Sequence, residues 1–274
     1  KKFDLLNAVG EETPVTVKRN GKIQEIPRKE VVVGDIVSGV PASTAHFSDY
    51  KADCATLNFP MYNLMGNHDH NSDATTELES YQDYENNLGP RNYSFDLGGF
   101  HVVCLDDQPV KIGKGGNATG LTDKDFQWLK NDLSHIPYNT QLIVCAHSTM
   151  FMASTGHDMS KDSGVLNSSG YSELLSKYAK VYHFAGHSHS MFNYVYPEDS
   201  EYRNIEVHVV PRCTGILNLN EYIADGGSPR GFVICEIDGE RITWKYHVTP
   251  YLTGENMASV PPNYDCRPWT YNGG

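Results

Sequence analysis

The stretch Leu64–His70 reads LMGNHDH, and its glycine, amide, histidines and carboxylate follow directly on an apolar run. A second stretch, Ala185–His189, reads AGHSH and also follows an apolar run. Neutral imidazoles suit zinc, iron and similar divalent metals, and carboxylate and amide oxygens also accept manganese. Each stretch alone is equally compatible with a polar turn, so other segments that end in the same way decide between the two interpretations.

Two other apolar runs also end in a residue that can bind a metal. VVV at 31–33 leads into Gly34-Asp35, and LIVCA at 142–146 is followed by His147. In α/β sheets, ligands gather outside the carboxyl ends of the strands, where loops from distant parts of the sequence converge. A glycine before such a residue lets the chain turn sharply. The sequence therefore predicts that four strand ends meet at one metal site.

The segments between these motifs predict a layered α/β or α+β domain. Periodicity and end signals predict helices at 48–58, 77–88, 122–133 and 171–179 and strands at 61–65, 141–146, 181–185 and 205–211. Hairpins are predicted at 13–37, 92–106 and 230–248, with turns at Asn20-Gly21, Gly98-Gly99 and Asp238-Gly239. The tail from Pro261 is rich in proline, asparagine and glycine, and we expect it to be irregular.

Composition and charge exclude several classes of protein. The 274 residues are enough for one large domain, or for one domain with a small appendage. The net charge is −12 and lysine and arginine form no run, so a nucleic-acid partner is not expected. No apolar run approaches the roughly 18 residues of a membrane span. A negatively charged protein can still act on phosphate esters when a bound metal reverses the local charge.

The segments GDIV, GNHD, the strand-terminal His147 and GHSH resemble, in this order, the motifs of the calcineurin-like metallophosphoesterase superfamily. Later segments such as LGPRNYSFDLGGFHVVCLDD and SPRGFVICEIDGERITWKY resemble bacterial members with an appended C-terminal β domain. The resemblance covers residues 34–250 and implies an α/β (α+β) fold, a four-layer αββα sandwich with a small β-rich C-terminal extension. We accordingly predict three segments: an atypical N-terminal hairpin segment at 1–33, the metallophosphoesterase core at 34–200, and a β-rich region with an irregular tail at 201–274.

The resemblance implies a site for two divalent metal ions, Mn, Fe or Zn, and a ligand role for five residues. Asp35 is the expected bridging carboxylate. Asn67, His147 and His187 complete one metal site, and His189 binds the other metal. The implied reaction is hydrolysis of a phosphate mono- or diester, with a metal-bound hydroxide as the nucleophile.

Three further residues are candidates for contact with the substrate or for orienting a residue that contacts it. The resemblance implies that His68 assists the leaving oxygen and that Asp69 orients the ring of His68. His157 lies in a long loop after the LIVCA strand, and such loops often border active sites, so it is a candidate for substrate contact.

One motif of the family is missing from this chain. Its first motif, Asp-x-His or Asp-x-Gln, supplies two ligands to one of the metals and is expected before Asp35. The only upstream aspartate is Asp4, and residue 6 is leucine. Residues 15–37 instead resemble the opening of the actuator domain of P-type cation pumps, although the chain has no DKTGT phosphorylation motif.

Three explanations of the missing motif remain open. The N-terminal segment is truncated or rearranged and leaves one metal site incomplete, or Asp4 approaches the site in an unfamiliar way. Alternatively, the protein is a catalytically impaired member that binds a phosphate or glycan ligand. We favour the first explanation, and with it an enzyme that acts on a small phosphorylated substrate. The resemblance also predicts an extracytoplasmic location, periplasmic or secreted, in a bacterium, and it makes no prediction about oligomeric state.

Overall fold

Strands and helices alternate along the first two thirds of the chain. The computed structural model describes residues 2–5, 15–19, 22–26, 28–32, 34–36, 44–57, 60–151, 158–189, 191–210, 231–248 and 268–270, with the backbone alone for 2–32, 246–248 and 268–270. The strands are β1 (Lys2–Leu5), β2 (Val15–Arg19), β3 (Lys22–Ile26), β4 (Arg28–Val32), β5 (Met61–Asn63), β6 (Tyr93–Leu97), β7 (Phe100–Leu105), β8 (Gln141–Ala146), β9 (Lys180–Ala185), β10 (Phe192–Val195), β11 (Ile205–Val209), β12 (Gly231–Asp238), β13 (Arg241–Val248) and β14 (Pro268–Thr270). The helices are α1 (Thr44–Cys54), α2 (Glu77–Leu88), α3 (Asp123–Leu133) and α4 (Ser168–Leu175).

The strands form two large mixed sheets and one hairpin. The five-stranded sheet has the order β13-β12-β1-β4-β5, and the seven-stranded sheet has the order β14-β10-β11-β9-β8-β7-β6. β1, β4 and β5 are parallel to one another, and so are β7, β8 and β9. β2 and β3 pair separately as an antiparallel hairpin. The strands that precede the predicted ligands therefore lie in parallel pairs, β4 with β5 and β8 with β9.

The seven-stranded sheet separates two hydrophobic cores. Val103 of β7 belongs to the same buried cluster as Leu129 of α3 and Tyr171 of α4. The next residue, Cys104, belongs to a second cluster that includes Cys235 of β12 in the five-stranded sheet. Successive side chains of a strand point to opposite faces, so β7 is buried on both of its faces. This arrangement explains why its sequence, FHVVCL, is almost continuously apolar.

Helices α1 and α2 form the remaining layer. Phe47 of α1 and Tyr84 of α2 are fully buried and pack edge to face, with ring centroids 5.8 Å apart. They contact Met65 and Ile36, which follow β5 and β4. Helices thus flank a pair of sheets, and the predicted αββα fold class is confirmed. No helix in the described part of the chain is both long enough and apolar enough to cross a membrane.

Elements with strong local signals lie where the sequence predicts them. α2 spans 77–88, and α3 begins after Thr122, whose side chain accepts the backbone N–H of Asp125. The hairpins β6–β7, β12–β13 and β2–β3 are all present. α1 and α4 begin four and three residues earlier than predicted, at Thr44 and Ser168.

Three short strands are not predicted by the sequence. β1 lies between β12 and β4, and β10 pairs with β11 and with β14. The expectation of an irregular tail is therefore wrong at Pro268–Thr270. These strands have three or four residues, too few for a periodic pattern, and only their partners identify them. The five-stranded sheet also joins strands from all three predicted segments, whose boundaries remain predictions.

His101 of β7 links the β6–β7 hairpin to α3. Its Nδ1 lies 2.9 Å from Asp96 Oδ1 and its Nε2 lies 3.0 Å from Asp132 Oδ2. Burial lowers the pKa of His101, but Asp132 and Asp96 more than offset this and raise the pKa above its ordinary value. The contact is therefore strongest when the imidazole is protonated.

We expect the coupling between His101 and Asp132 to depend on pH. A histidine whose pKa is raised by folding stabilises the folded protein. This stabilisation is fully present below the pKa of the unfolded state, about 6.5, and is lost as the pH rises through the pKa of the folded state. A double-mutant cycle with His101→Gln and Asp132→Asn in urea unfolding should give a coupling on the order of 1 kcal/mol at about pH 6 and a smaller one at about pH 9. Equal coupling at both pH values would contradict this assignment.

Candidate metal centre

Four polar side chains from four strand ends converge at one point. Asp35 follows β4, Asn67 follows β5, His147 follows β8, and His187 follows β9. Asn67 Oδ1 lies 3.0 Å from His147 Nε2 and 2.9 Å from His187 Nδ1. The two imidazole nitrogens are 3.1 Å apart, and Asp35 Oδ2 is 3.2 Å from His147 Nε2. The four strand ends thus meet as the sequence predicts, and the structure adds that two belong to each sheet.

The spacing of these donor atoms fits a divalent cation better than it fits hydrogen bonds. Asp35 Oδ2 and Asn67 Oδ1 are acceptors, and each imidazole nitrogen carries at most one proton. His147 Nε2 faces three such atoms, so hydrogen bonds alone leave lone pairs directed at one another. Neighbouring ligands at about 2.1 Å from an octahedral ion lie about 3 Å apart. Two imidazoles, an amide oxygen and a carboxylate form a donor set suited to Zn, Fe or Mn.

The electrostatics of the cluster provide the protonation states that a cation requires. Burial raises the pKa of Asp35, but the ring of His147 and the N–H of His68 more than offset this and lower the pKa to about 2. Burial, together with the neighbouring His147, lowers the pKa of His187 to about 4. Asp35 is therefore ionised and His187 neutral at pH 7, which are the forms that bind metal.

The backbone is strained at several of the predicted ligands. Among the described residues, four that are not glycine have a positive φ, and three of these are Asp35 at 52°, His187 at 60° and His189 at 56°. The left-handed conformation costs an L-residue roughly 1–2 kcal/mol. Such strain persists where the surrounding structure over-determines the backbone, and it concentrates at functional sites.

Two glycines let the ligand loops approach each other closely. A Cβ atom on Gly66 would overlap the backbone N and Oδ1 of Asp35, and a Cβ atom on Gly34 would overlap Nδ1 of His147. Gly34 also has a φ of 82°, which favours glycine. The glycines of GD and GNHD are therefore required for the close approach of the loops that follow β4, β5 and β8.

His68 and Asp69 occupy different environments beside the cluster. His68 is exposed, and its backbone N–H donates to Asp35 Oδ1 at 3.0 Å. Asp69 is buried, and its Oδ2 accepts the backbone N–H of Gly66 at 2.8 Å. Asp69 thus closes the GNHD turn, and His68 is exposed to solvent. The ring-orienting role of Asp69 remains a prediction.

The fifth predicted ligand, His189, does not belong to the four-atom cluster. Asp35, His147 and His187 offer ligand atoms that all lie within 4.8 Å of one another, and His189 does not join this group. His189 is nevertheless close enough to His187 to contribute to its lowered pKa, after burial and His147. His157 lies outside the described residues. The backbone of Asp4 lies in β1, opposite Glu30 of β4.

One buried pair of acidic residues lies beside the cluster and outside the predicted set of ligands. Asp106 and Asp107 directly follow β7, and both are almost fully buried. Asp107 Oδ1 accepts the backbone N–H of His147 at 3.1 Å, and Asp106 Oδ1 lies 3.1 Å from His70 Nε2. Their place at the end of an apolar strand is visible in the sequence, but their hydrogen-bond partners are not.

An αββα sandwich with a cluster of four donor atoms at its strand ends has the architecture of the metallophosphoesterase fold. The model of the calcineurin-like phosphoesterase family matches residues 9–191, and the chain belongs to that family. The match begins upstream of Asp35, so it includes the segment that lacks the first motif.

Comparison with individual proteins agrees with this family. A probable glycerophosphodiester phosphodiesterase (GpdQ) of Arcobacter nitrofigilis is 25% identical over 173 residues, which cover 60% of this chain and 58% of that protein. The solved structure of purple acid phosphatase PPD1 from yellow lupin (Lupinus luteus) seeds has a TM-score of 0.51 at 14% identity, covering 80% of this chain and 44% of that chain. The likeness to the lupin enzyme concerns the fold alone. The chain spans about half the length of these two proteins.

Proposed function

We propose that this chain hydrolyses small phosphate mono- or diesters with two divalent cations, Mn, Fe or Zn. The observation that carries the proposal is the convergence of four donor atoms, with neighbouring atoms 2.9–3.2 Å apart, from the ends of strands in both sheets. The name of the Arcobacter relative supports a phosphodiester of a small alcohol as the substrate class.

Each ligand has a defined part in the proposal. Asn67, His147 and His187 would hold one cation together with Asp35, and Asp35 would also be a ligand of the second cation. His189 would be a ligand of the second cation. When bound, the cations supply charge stabilisation to the phosphoryl oxygens and lower the pKa of water. The ionised Asp35 carboxylate offsets part of the repulsion between the two cations.

His68 is the proposed general acid. Its exposed side chain lies next to Asn67, and its backbone is fixed by the hydrogen bond to Asp35. Histidine is the side chain most often used for proton transfer near neutral pH. In this role His68 donates a proton to the leaving alkoxide oxygen as the bond to phosphorus breaks. Good leaving groups need this proton less than poor ones.

The leaving-group dependence of His68→Ala tests the proposed reaction. With Mn²⁺ added, we expect turnover of an alkyl phosphodiester such as glycerophosphoethanolamine to fall by about 10²–10⁴-fold in the variant. Turnover of bis-p-nitrophenyl phosphate should fall much less, because p-nitrophenolate leaves without protonation. Equal losses with both substrates would exclude His68 as the general acid.

The alternative function is that of a binding module for a phosphate or glycan ligand. The observation that favours it is the missing first motif, with Leu6 where the family has a ligand. Metal analysis and the same assay separate the two functions. If the protein holds stoichiometric metal yet gives no turnover above the chelator-treated sample with either substrate, the enzymatic proposal fails and the binding module is preferred.

A further inference from the structure

Two adjacent carboxylates after β7 contact two of the loops that carry the cluster. Asp106 is 1% exposed and Asp107 is 0% exposed. A carboxylate removed from water costs free energy unless hydrogen bonds replace the solvent. The hydrogen-bond partners of these two residues therefore show which parts of the structure the buried carboxylates hold in place.

Asp107 fixes the backbone of the His147 loop. Its Oδ1 accepts the N–H of His147 at 3.1 Å, and its Oδ2 accepts the N–H of Ser148 at 2.9 Å. Gln108 adds a third link, since its Nε2 donates to Ser148 Oγ at 2.9 Å. β7 and β8 are parallel neighbours, with Leu105 opposite Ala146, so these bonds continue the sheet pairing beyond the last strand residues.

Asp106 fixes the loop that carries Asn67. Its Oδ1 lies 3.1 Å from Nε2 of His70, the residue that directly follows GNHD, and it also accepts the N–H of Gln108 at 3.1 Å. His70 is buried, and its Nδ1 has no hydrogen-bond partner among the described residues. Asp106 is thus the anchor of this imidazole, three residues beyond Asn67.

We propose that the Asp106–Asp107 pair positions the Asn67 and His147 loops relative to each other and thereby determines the affinity of the four-atom cluster for a divalent cation. The proposal rests on the metal site of the proposed function but does not require turnover. Asn67 belongs to a loop of the five-stranded sheet and His147 to a loop of the seven-stranded sheet. Within the described residues, the pair contacts the GNHDH loop on one side and the His147 loop on the other. Asp106 acts through the ring of His70 and Asp107 through the backbone N–H groups of His147 and Ser148, so both are positioning residues.

The chain offers a matched control on the far side of the same network. Asp106 Oδ2 accepts a hydrogen bond from Arg91 Nη1 at 2.9 Å, and Asp125 of α3 pairs with Arg91 Nη2 at 2.7 Å. Asp125 is almost as buried as Asp106, but its side-chain partners among the described residues are Arg91, Asn92 and Thr122, none of which lies in a ligand loop. Asp125→Asn therefore weakens the same ion-pair network and leaves both loops in place.

The test compares cation affinity with folding stability. Co²⁺ and Mn²⁺ are titrated into metal-free protein, with the Co²⁺ absorption spectrum as the readout, and urea unfolding is followed without metal. We expect Asp107→Ala to weaken binding by about tenfold to a hundredfold, the usual effect of residues that orient metal ligands, and Asp107→Asn by less. His70→Ala should weaken binding more than His70→Gln, whose amide nitrogen still reaches Asp106.

The control decides whether the effect is specific. Asp125→Asn should lower the unfolding midpoint but leave the cation affinity within about twofold of the wild type. If Asp107→Ala fails to fold, Asp107→Asn and the two His70 variants carry the comparison. Unchanged affinity in the folded variants, or an equal loss in Asp125→Asn, overturns the proposal. Wild-type protein that binds metal without turnover refutes only the proposed hydrolysis, whereas failure to bind either metal refutes both.

Discussion

Asp35→Asn is expected to lower phosphodiester turnover about a thousandfold and to weaken cation binding, with the fold retained. Asp35 supplies the charged oxygen among the four donor atoms, and its low pKa, about 2, keeps it ionised. Charge stabilisation by a bound cation contributes several kcal/mol to the transition state, and about 4 kcal/mol corresponds to a thousandfold. Asparagine tolerates the left-handed backbone at φ 52°, so the substitution introduces no new strain.

The measurement combines metal content after dialysis with turnover of a phosphodiester in Mn²⁺. Asp73→Asn is a suitable control, since Asp73 is an exposed acid in the loop after GNHDH. The control should retain wild-type metal content and activity. Normal metal content and normal turnover in the Asp35→Asn variant would show that Asp35 is not a ligand of the site.

Arg91→Met is expected to destabilise the protein by about 3–5 kcal/mol. The buried guanidinium lies between Asp106 and Asp125 and stacks over the ring of Tyr81, 4.2 Å from its centroid. Its removal leaves two buried carboxylates without their cation. Burial raises the pKa of Asp106, but His70 and Arg91 more than offset this and hold the pKa well below its usual range.

The loss in Arg91→Met should also depend on pH. Folding lowers the pKa of Asp106, so this carboxylate stabilises the wild type at pH values above its pKa in the unfolded state, about 3.9. The stabilisation is therefore present at neutral pH. Without Arg91, only part of the offset to the burial of Asp106 remains, so its pKa is higher in the folded variant than in the folded wild type. The difference in stability between the wild type and Arg91→Met should therefore shrink as the pH falls and this carboxyl becomes protonated. Urea unfolding at several pH values measures this.

Two substitutions serve as references for Arg91→Met. Arg203 is exposed, and Arg203→Met should change the free energy of unfolding by less than about 0.5 kcal/mol. Arg91→Lys should restore only part of the stability, because an ammonium group cannot form the paired contacts of the guanidinium. A loss below about 1 kcal/mol in Arg91→Met would show that the network contributes little.

Local patterns in the sequence were sufficient for the elements with strong end signals. α2 lies at 77–88 as predicted, because Thr76 caps its start and Gly89 follows its end. α3 begins after Thr122 because its hydroxyl satisfies a backbone N–H of the first turn. Each signal involves residues within four positions of each other, so no knowledge of the rest of the fold is needed.

Candidate ligands were also visible in the sequence, since each follows an apolar run at a strand end. That rule placed Asp35, Asn67, His147 and His187 together, and the structure brings these four together. Their role as ligands remains the proposal to be tested. The same rule gave no information on His157, which lies outside the described residues.

The sequence by itself determined the helices, the hairpins and the set of polar residues at the strand ends. Only the tertiary structure decided that β1 lies between β12 and β4, that His189 does not belong to the four-atom cluster, and that Asp106 and Asp107 contact opposite ligand loops. The physical reason is the range of the interactions. Periodicity and capping act within a few residues, whereas Asp106 meets a partner 36 residues away and Asp107 a partner 40 residues away. Such partners are selected by the pairing of whole strands, which a local pattern does not specify.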